Sequence, residues 1–177
     1  MSRDVALDPR LQHLHDRHTV SRLGAPGPSG TEIAAMLAAA DTAPDHGHLH
    51  PWRLVVLDEA HRARVATAYA AAQRAVDDAP DLIERAASKP MRGPCVIAAF
   101  ARTVAHPKVP DWEQLAAAAA AVQNLCLAAT ALGYGSAWRT GWFVERAEVR
   151  EALGAAEDER VIGMVHIGTP RPRERSA

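Results

Sequence analysis

The sequence predicts a single domain that mixes helices and strands, of the α+β class, with a central mixed sheet flanked by helices. Two observations lead to this prediction. Short apolar runs rich in β-branched residues, at 53–58, 94–102 and 161–167, are typical of buried strands. Long alanine-rich segments with helical character lie between them, and this alternation indicates one layered domain. Residues 1–177 also have the length of one domain with a substantial core.

The longest helical segment, residues 112–132, is the centre of the predicted core. No proline or glycine interrupts it before Gly133, which is a natural C-cap. Its faces carry mostly alanine rather than charge, so we expect it to be buried on all sides. Gln123, Asn124 and Thr130 argue against a membrane span. Because a chain of this size offers little cover for such a helix, the pattern favours a place at the centre of a dimer.

The other elements are predicted from periodicity, capping residues and proline or glycine breaks. In chain order they are a helix at 8–17, an extended connection at 24–30, a helix at 31–41 capped by Ser29 or Thr31, a histidine-rich loop at 43–52, helices at 59–79 and 80–87, a loop at 103–111, a strand and turn at 134–142, and a short helix at 145–153.

Composition excludes several functional classes. The net charge is −1 and 23% of residues are charged, so no basic excess indicates nucleic acid or a membrane surface as a partner. Cys95 and Cys126 lie in apolar segments, which predicts unpaired cysteines that serve as small hydrophobic residues. Residues 1–10 contain no apolar stretch, so we expect no signal peptide and a cytoplasmic protein.

Familiar catalytic motifs do not occur in the sequence. It has no phosphate-binding loop of the Walker type, no GxGxxG fingerprint and no GxSxG nucleophile elbow. Its only lysines are Lys89 and Lys108. We therefore expect any anion site to rely on arginine and backbone N–H groups.

The first candidate ligand segment is DRHTVSRL, at residues 16–23. Two arginines, a histidine and two hydroxyl groups surround the end of a predicted helix. Guanidinium and hydroxyl donors in this arrangement suit a phosphate. The alternative is an ordinary solvated helix end.

The second candidate is APDHGHLHPW, at residues 43–52. His46, His48 and His50 alternate, so an extended segment would place three imidazoles on one side. Such a group can bind a divalent metal ion, although no fourth ligand is evident. A polar loop or a site for a ligand other than a metal is the alternative, and we predict no metal.

The third candidate is GYGSAWRTG, at residues 133–141. Its glycines allow close backbone approach, Trp138 can stack or pack, and Arg139 is a cation in an apolar stretch. The alternative is a core strand with a buried tryptophan and a surface arginine.

Taken together, these segments resemble the nitroreductase family, and specifically its small, single-domain, FMN-binding bacterial members. The family's RRS-like box is matched by Arg17-His18-Thr19, its APxxxxxQPW loop by residues 43–52, and its KVPxWEQ segment by residues 108–114. Its GxGxxWRSG segment is matched by residues 133–141, and its final strand ending in GTP by residues 162–170. The matches run in order from about residue 16 to residue 170.

The resemblance implies a nitroreductase-like fold and a homodimer with FMN at the subunit interface. By position, the FMN-binding residues would be Arg17, His18, Thr19, Thr42, His46, Trp138, Arg139 and Thr140, with Arg17 and Arg139 as phosphate cations. The segment implied to meet the nicotinamide nucleotide is Ala128, Ala129, Thr130, Ala131, Leu132 and Gly133. The implied activity is ping-pong hydride transfer from NAD(P)H to a nitroaromatic, a quinone or an unknown acceptor. The cofactor carries this chemistry, so no catalytic side chain is implied.

The sequence departs from the family pattern at the flavin. His18 replaces the second arginine of the box, His50 replaces the glutamine before Pro-Trp, and the chain stops soon after its last strand. Arg171, Arg173 and Arg175 could substitute for a longer basic arm, although a solvated tail is the simpler interpretation. We therefore expect looser FMN binding than is usual in the family. Two other functions stay open: a flavin-binding protein without reductase turnover, and a metal-binding protein that uses the histidine loop.

Overall fold

The structure is a computed structural model, and it describes residues 8–172. Arg173 and Arg175 therefore lie outside the described residues, as do residues 1–7. The helices are α1 (Gln12–Asp16), α2 (Gly30–Ala40), α3 (Glu59–Arg74), α4 (Pro80–Ala87), α5 (Asp111–Ala131) and α6 (Ala147–Leu153). The strands are β1 (Leu23–Gly24), β2 (Trp52–Val56), β3 (Cys95–Arg102), β4 (Gly135–Arg139) and β5 (Glu159–Pro170). Single 3₁₀ turns lie at Pro9–Leu11, Lys89–Met91 and Trp142–Glu145.

Strand β5 is the centre of the sheet. It pairs with β3, β4 and β1, and β2 pairs with the far edge of β3. Each of these ladders is antiparallel, whereas the sequence predicted a mixed sheet. Among the described residues, the one parallel contact is an isolated bridge between Thr19 and Ser136. The α+β class is confirmed.

Alternation along β3 and β5 divides the core into two layers. Ile97, Ala99 and Val165 point to one face, where α2 and α5 pack. Val96, Ala98 and Met164 point to the other, where α3 and α6 pack. We call these the α5 face and the α3 face of the sheet. Both strands are buried on two sides, which explains their continuous apolar sequences.

Local capping sets where several elements begin. Helix α2 starts at Gly30, one residue before the predicted start, because the Ser29 side chain accepts from the Glu32 N–H while Glu32 accepts from the Ser29 N–H. Helix α3 ends at Arg74, earlier than predicted, and α6 begins only at Ala147, because a 3₁₀ turn occupies Trp142–Glu145. The final strand extends beyond the predicted 161–167 at both ends.

Helix α5 crosses the α5 face and is held at its start by Gln114. This buried side chain donates to the carbonyls of Val104 and Val109, at 2.8 and 3.1 Å, and accepts from the Val104 N–H. The loop before the helix is thereby fixed to its first turn. Cys126, in the same helix, and Cys95 are buried and unpaired, as predicted.

The prediction that α5 is buried on all sides is wrong for a single chain. Its inner face, which includes Val122 and Leu125, is fully buried, but a stripe at three- and four-residue spacing remains open to solvent to different degrees. The stripe consists of Trp112, Ala116, Ala119, Gln123, Leu127 and Ala131. By length and composition, α5 is also the one helix of residues 8–172 that could cross a membrane, a test that core helices pass as well.

Candidate active site

The arginine-containing segment lies along the open edge of β4. Thr19 forms the parallel bridge to Ser136, and the Val20 N–H donates to the Ser136 carbonyl at 2.9 Å. The Nδ1 atom of His18 lies 2.8 Å from the Asp16 carbonyl oxygen. Arg17 follows directly after α1, which packs against α5 on the α5 face of the sheet.

The histidine loop is not extended, so the reason to expect three imidazoles on one side fails. Gly47, His48 and His50 all have positive φ angles, of 81°, 53° and 47°. His46 is held separately, with Nδ1 2.8 Å from the carboxylate of Glu113 in the first turn of α5. Within residues 8–172, no group of three or more His, Cys, Asp or Glu side chains is arranged to hold a metal ion.

The end of the loop is fixed to the preceding helix by Asp41. Its carboxylate accepts from the Trp52 indole N–H at 3.1 Å, and the His50 and Trp52 rings pack with centroids 4.3 Å apart. The backbone N–H of His50 donates to Asp45 at 2.7 Å. Open depressions of about 490 and 470 Å³ are both lined by Asp41, His50 and Trp52.

Thr42 and the end of α5 line one depression of about 270 Å³, together with His13 and Asn124. Asn124 donates to the Thr42 hydroxyl at 3.2 Å and so connects the loop to the helix. Of the segment predicted to meet a nicotinamide nucleotide, Ala128 and Ala131 line this depression. The others lie elsewhere: Ala129 is fully buried, the Thr130 hydroxyl donates to the Cys126 carbonyl, Leu132 is 42% exposed and Gly133 forms the turn after the helix.

Trp138, Arg139 and Thr140 end β4 and line a cavity of about 390 Å³ on the α3 face. Tyr69, Phe143 and Met164 form its apolar wall. The Trp138 indole N–H is already used, because it donates to the Ile162 carbonyl at 3.0 Å. This fixes the orientation of the tryptophan, whose ring also packs against the core on the α5 face.

The charged lining of this cavity is cationic. Lys89, Arg92 and Arg139 contribute to it, and none of its described lining residues is a carboxylic acid. Burial, followed by the charges of Arg92, Arg85 and Arg139, lowers the pKa of Lys89; burial and the charges of Arg139 and Arg85 lower that of Arg92. The Nε atom of Arg139 is buried and has no hydrogen-bond partner in residues 8–172. An unpaired buried donor among cations indicates a site for a group rich in acceptors.

His166 forms part of the same cavity and is 1% exposed. Its Nδ1 atom lies 2.8 Å from the Arg92 carbonyl oxygen, whereas its Nε2 atom is buried without a partner among the described residues. Burial lowers the pKa of His166 to about 4, and the charges of Arg139, Arg62 and Arg92 act in the same sense. The imidazole is therefore neutral at physiological pH.

The predicted site residues fall into separate groups within one chain. Arg17 follows α1, which packs against α5, whereas the Arg139 side chain lies on the α3 face, since Arg139 pairs with Met164 in the β4–β5 ladder. Thr42 and His46 belong to the loop beside α5. Strand β4 is the element that the first and third groups share.

Sequence reasoning missed Lys89, Arg92 and His166. The expectation that an anion site would use only arginine and backbone groups overlooked Lys89, one of two lysines in the chain. A signal was present for His166, because it is the one ionisable side chain in the apolar run 161–167. The residues lie in different elements, so their meeting required the fold.

Comparison with known proteins identifies the family to which this chain belongs. The family model described as "Nitroreductase family" matches residues 14–169. A protein of Escherichia coli strain K12 named "Putative NAD(P)H nitroreductase YdjA" is 35% identical over 161 residues, which are 91% of this chain and 88% of that protein. A Haemophilus influenzae relative with the corresponding name is 36% identical over 162 residues, or 90% and 87% of the two chains.

These matches show that the chain belongs to the nitroreductase family and is an oxidoreductase. Solved structures agree on the fold. A nitroreductase-like protein from Bacillus cereus superposes with a TM-score of 0.74 at 23% identity, over 100% of this chain and 94% of that one. A nitroreductase from Bacteroides fragilis, solved with bound FMN, has a TM-score of 0.73 at 23% identity, over 97% and 95%.

Proposed function

We propose that the protein is an FMN-dependent oxidoreductase that transfers hydride from NAD(P)H to a nitroaromatic, a quinone or another small acceptor by a ping-pong mechanism. Family membership and the names of its relatives support the nucleotide and the flavin. The observation in the chain itself that carries the proposal is the cationic cavity at the end of β4, where the buried Arg139 Nε has no partner.

The residues of this chain fit FMN. The flavin ring offers carbonyl and ring-nitrogen acceptors and the phosphate offers three oxygens, whereas the cavity offers guanidinium and ammonium donors beside an aromatic wall. Residues 17–19 supply a further cation and two polar side chains at the other end of β4. When bound, FMN supplies the hydride chemistry between nucleotide and acceptor.

The proposed role of the protein is to bind the cofactor, to orient it and to stabilise the charge that develops on it. Lys89, Arg92 and Arg139 are partly buried and would place positive charge beside a bound flavin, which gains negative charge on reduction. Arg17, His18, Thr19 and the loop residues Thr42 and His46 hold the rest of the cofactor, and Ala128 and Ala131 offer packing surface to the nucleotide.

We also propose that the domain works as a cytoplasmic homodimer with α5 at its centre. The open stripe of α5 carries small residues that let two helices approach closely, and Trp112 at its start is 67% exposed in the single chain. A dimer would also bring the loop beside α5 of one chain toward the β4 residues of another. Such a site explains why the predicted groups are separate within one chain.

FMN binding looser than usual in the family remains part of the proposal. His18 has one ring nitrogen at the Asp16 carbonyl, so it offers less to a phosphate than a second arginine would. Arg171 donates to the Ala25 carbonyl at the β1 edge, which limits its use as a phosphate cation.

Steady-state turnover tests this function. Purified protein supplied with FMN should oxidise NADH or NADPH when a nitroaromatic or quinone acceptor is present. Bound flavin without nucleotide oxidation would instead favour a flavin-binding protein that has no reductase turnover. Stoichiometric zinc without any flavin absorbance would contradict the proposal and favour the histidine-loop alternative.

A further inference from the structure

The His46 side chain is held by a residue far away in the sequence, Glu113. The Nδ1 atom of the imidazole lies 2.8 Å from the Glu113 carboxylate, in the first turn of α5. An ionised carboxylate only accepts hydrogen bonds, so Nδ1 carries the proton and the neutral ring has its free lone pair on Nε2. The pair therefore fixes both the position of the imidazole and its tautomer.

Glu113 belongs to a well-anchored part of the fold. The next residue, Gln114, is buried and forms hydrogen bonds with the backbone of Val104 and Val109. Val109 is also buried and packs against the histidine loop, since a Cβ atom on Gly47 would lie 3.3 Å from its side chain. The start of α5 and the loop are thus in contact, and Glu113 holds the imidazole at a defined place beside that contact.

The pair is too exposed to contribute much to the stability of the fold. The His46 side chain is 59% exposed and that of Glu113 is 29% exposed, and ion pairs between such groups are weak. Because Nδ1 is turned to Glu113, the exposure of His46 leaves the Nε2 side of the ring open to a ligand. Nε2 makes no hydrogen bond within residues 8–172.

We propose that Glu113 is a positioning residue for the cofactor, because it holds His46 with Nε2 directed to an uncharged N–H or O–H donor of FMN. This inference rests on the FMN dependence proposed above. FMN offers such donors at the flavin N3–H and at the ribityl hydroxyl groups. The phosphate is a poor match, because its oxygens would meet the lone pair of Nε2 and the negative charge of Glu113. It lies instead with Arg17.

A double-mutant cycle tests whether Glu113 acts through His46. In titrations of apoprotein with FMN, His46→Ala should weaken binding about 3- to 10-fold, the loss expected for one hydrogen bond. Glu113→Ala should weaken it about 2- to 5-fold, because the imidazole is then no longer held. In the His46→Ala background, Glu113→Ala should have a further effect of less than about 1.5-fold. Losses that multiply in the double variant would overturn the proposal.

A conservative variant and a matched control separate position from charge. Glu113→Gln keeps an oxygen that accepts from Nδ1, so FMN binding should return to within about twofold of wild type. Asp111→Ala removes an exposed carboxylate from the same helix turn and leaves the Glu113–His46 pair in place, and it should also stay within about twofold. Equal losses for Asp111→Ala and Glu113→Ala would show a general effect of charge and contradict the role of Glu113.

Salt separates an uncharged contact from a contact with the phosphate. A rise in ionic strength from about 0.1 to 1 M shortens the Debye length from about 10 to 3 Å and so weakens interactions between charges. The factor by which His46→Ala weakens FMN binding should be the same at both ionic strengths. A loss confined to low salt would assign His46 to the phosphate and overturn the proposal.

Nitrogen-15 NMR of the apoprotein examines the pair without any flavin. In alkaline buffer, the His46 ring should carry its proton on Nδ1 and none on Nε2, and Glu113→Ala should allow the other tautomer. A wild-type ring with its proton on Nε2 would overturn the proposal. Absence of FMN binding by the wild-type protein would instead refute the proposed function, and the NMR signals would still report on the pair, so the two failures are distinguishable.

Discussion

Arg139 and His166 share a cavity in which each has one buried nitrogen without a hydrogen-bond partner among residues 8–172. Buried polar atoms are rarely left unpaired, and a pair of them in one cavity is typical of a ligand site. At the scale of single residues, the candidate site is therefore marked by two buried nitrogen atoms that have no hydrogen-bond partner among the described residues.

Replacement of Arg139 by alanine should weaken FMN binding by about 1.5–3 kcal/mol, the range for a hydrogen bond to a charged group. The measurement is titration of the apoprotein with FMN. Arg74→Ala, at the exposed end of α3, is the matched control and should leave the affinity unchanged. Equal affinities for Arg139→Ala and wild type would remove Arg139 from the site.

His166 should make the apoprotein less stable in acid. Its pKa in the folded state, about 4, lies below the ordinary 6.5, so between these values the unfolded chain takes up a proton that the folded protein does not. The contribution is complete above pH 6.5 and is lost as the pH falls toward 4, by about 3 kcal/mol in all.

The check is urea unfolding of apoprotein across this pH range for wild type and His166→Gln. The free energy of unfolding of the variant should fall less steeply with acid, whatever its value at neutral pH. Parallel curves for the two proteins would show that His166 titrates normally in the folded state.

Gly163 allows β5 to pass beneath Trp138. Its φ is +135°, and a Cβ atom there would lie 2.6 Å from Trp138 Nε1 and 2.7 Å from the Arg139 carbonyl oxygen. Gly163→Ala should therefore lower the free energy of unfolding by about 3–5 kcal/mol, from backbone strain and the clash together. Gly154→Ala, with φ +73° and no atom within 4 Å, should cost only about 1–2 kcal/mol. Similar losses for the two variants would contradict this account.

At the scale of elements, local sequence patterns predicted most of the fold. Strands β2, β3 and β5 follow from β-branched apolar runs, and α5 follows from its length without breaks. The two-residue strand β1 and the antiparallel partners of β5 were not predictable, because pairing depends on contacts between distant segments. Of the residues that line the β4 cavity, 138–140 were candidates from the sequence, whereas Lys89, Arg92 and His166 lie in other elements and came together only in the fold.

Helix α5 has a largely apolar stripe that remains open to solvent in the single chain. Ala116 lies on its open stripe, where an arginine would disturb nothing within one chain but would place a charge in a helix–helix interface. Ala116→Arg should therefore convert a dimer to a monomer in sedimentation analysis and weaken FMN binding. Ala71→Arg, an equally exposed alanine of α3, should do neither. A monomeric wild-type protein, or a dimeric Ala116→Arg protein, would contradict the placement of the interface.

At the scale of the whole molecule, one sheet connects three separate groups of residues that we propose to bind FMN. Residues 17–19 bridge to the start of β4, residues 138–140 end that strand, and the Thr42 loop lies beside α5. None of these groups is a complete site within one chain. Membership of the nitroreductase family, the open stripe of α5 and the cationic cavity become consistent when a dimer binds a flavin between them.

The central claim is the proposed ping-pong transfer of hydride from NAD(P)H to a small acceptor, chemistry that bound FMN would supply in two separate steps. Its most direct test is anaerobic mixing of the FMN-loaded protein with NADH or NADPH while the visible flavin bands are recorded. The account predicts that one of the nucleotides bleaches the bands without any acceptor, and that later addition of a nitroaromatic or quinone restores them. Flavin bands that neither nucleotide changes would contradict it.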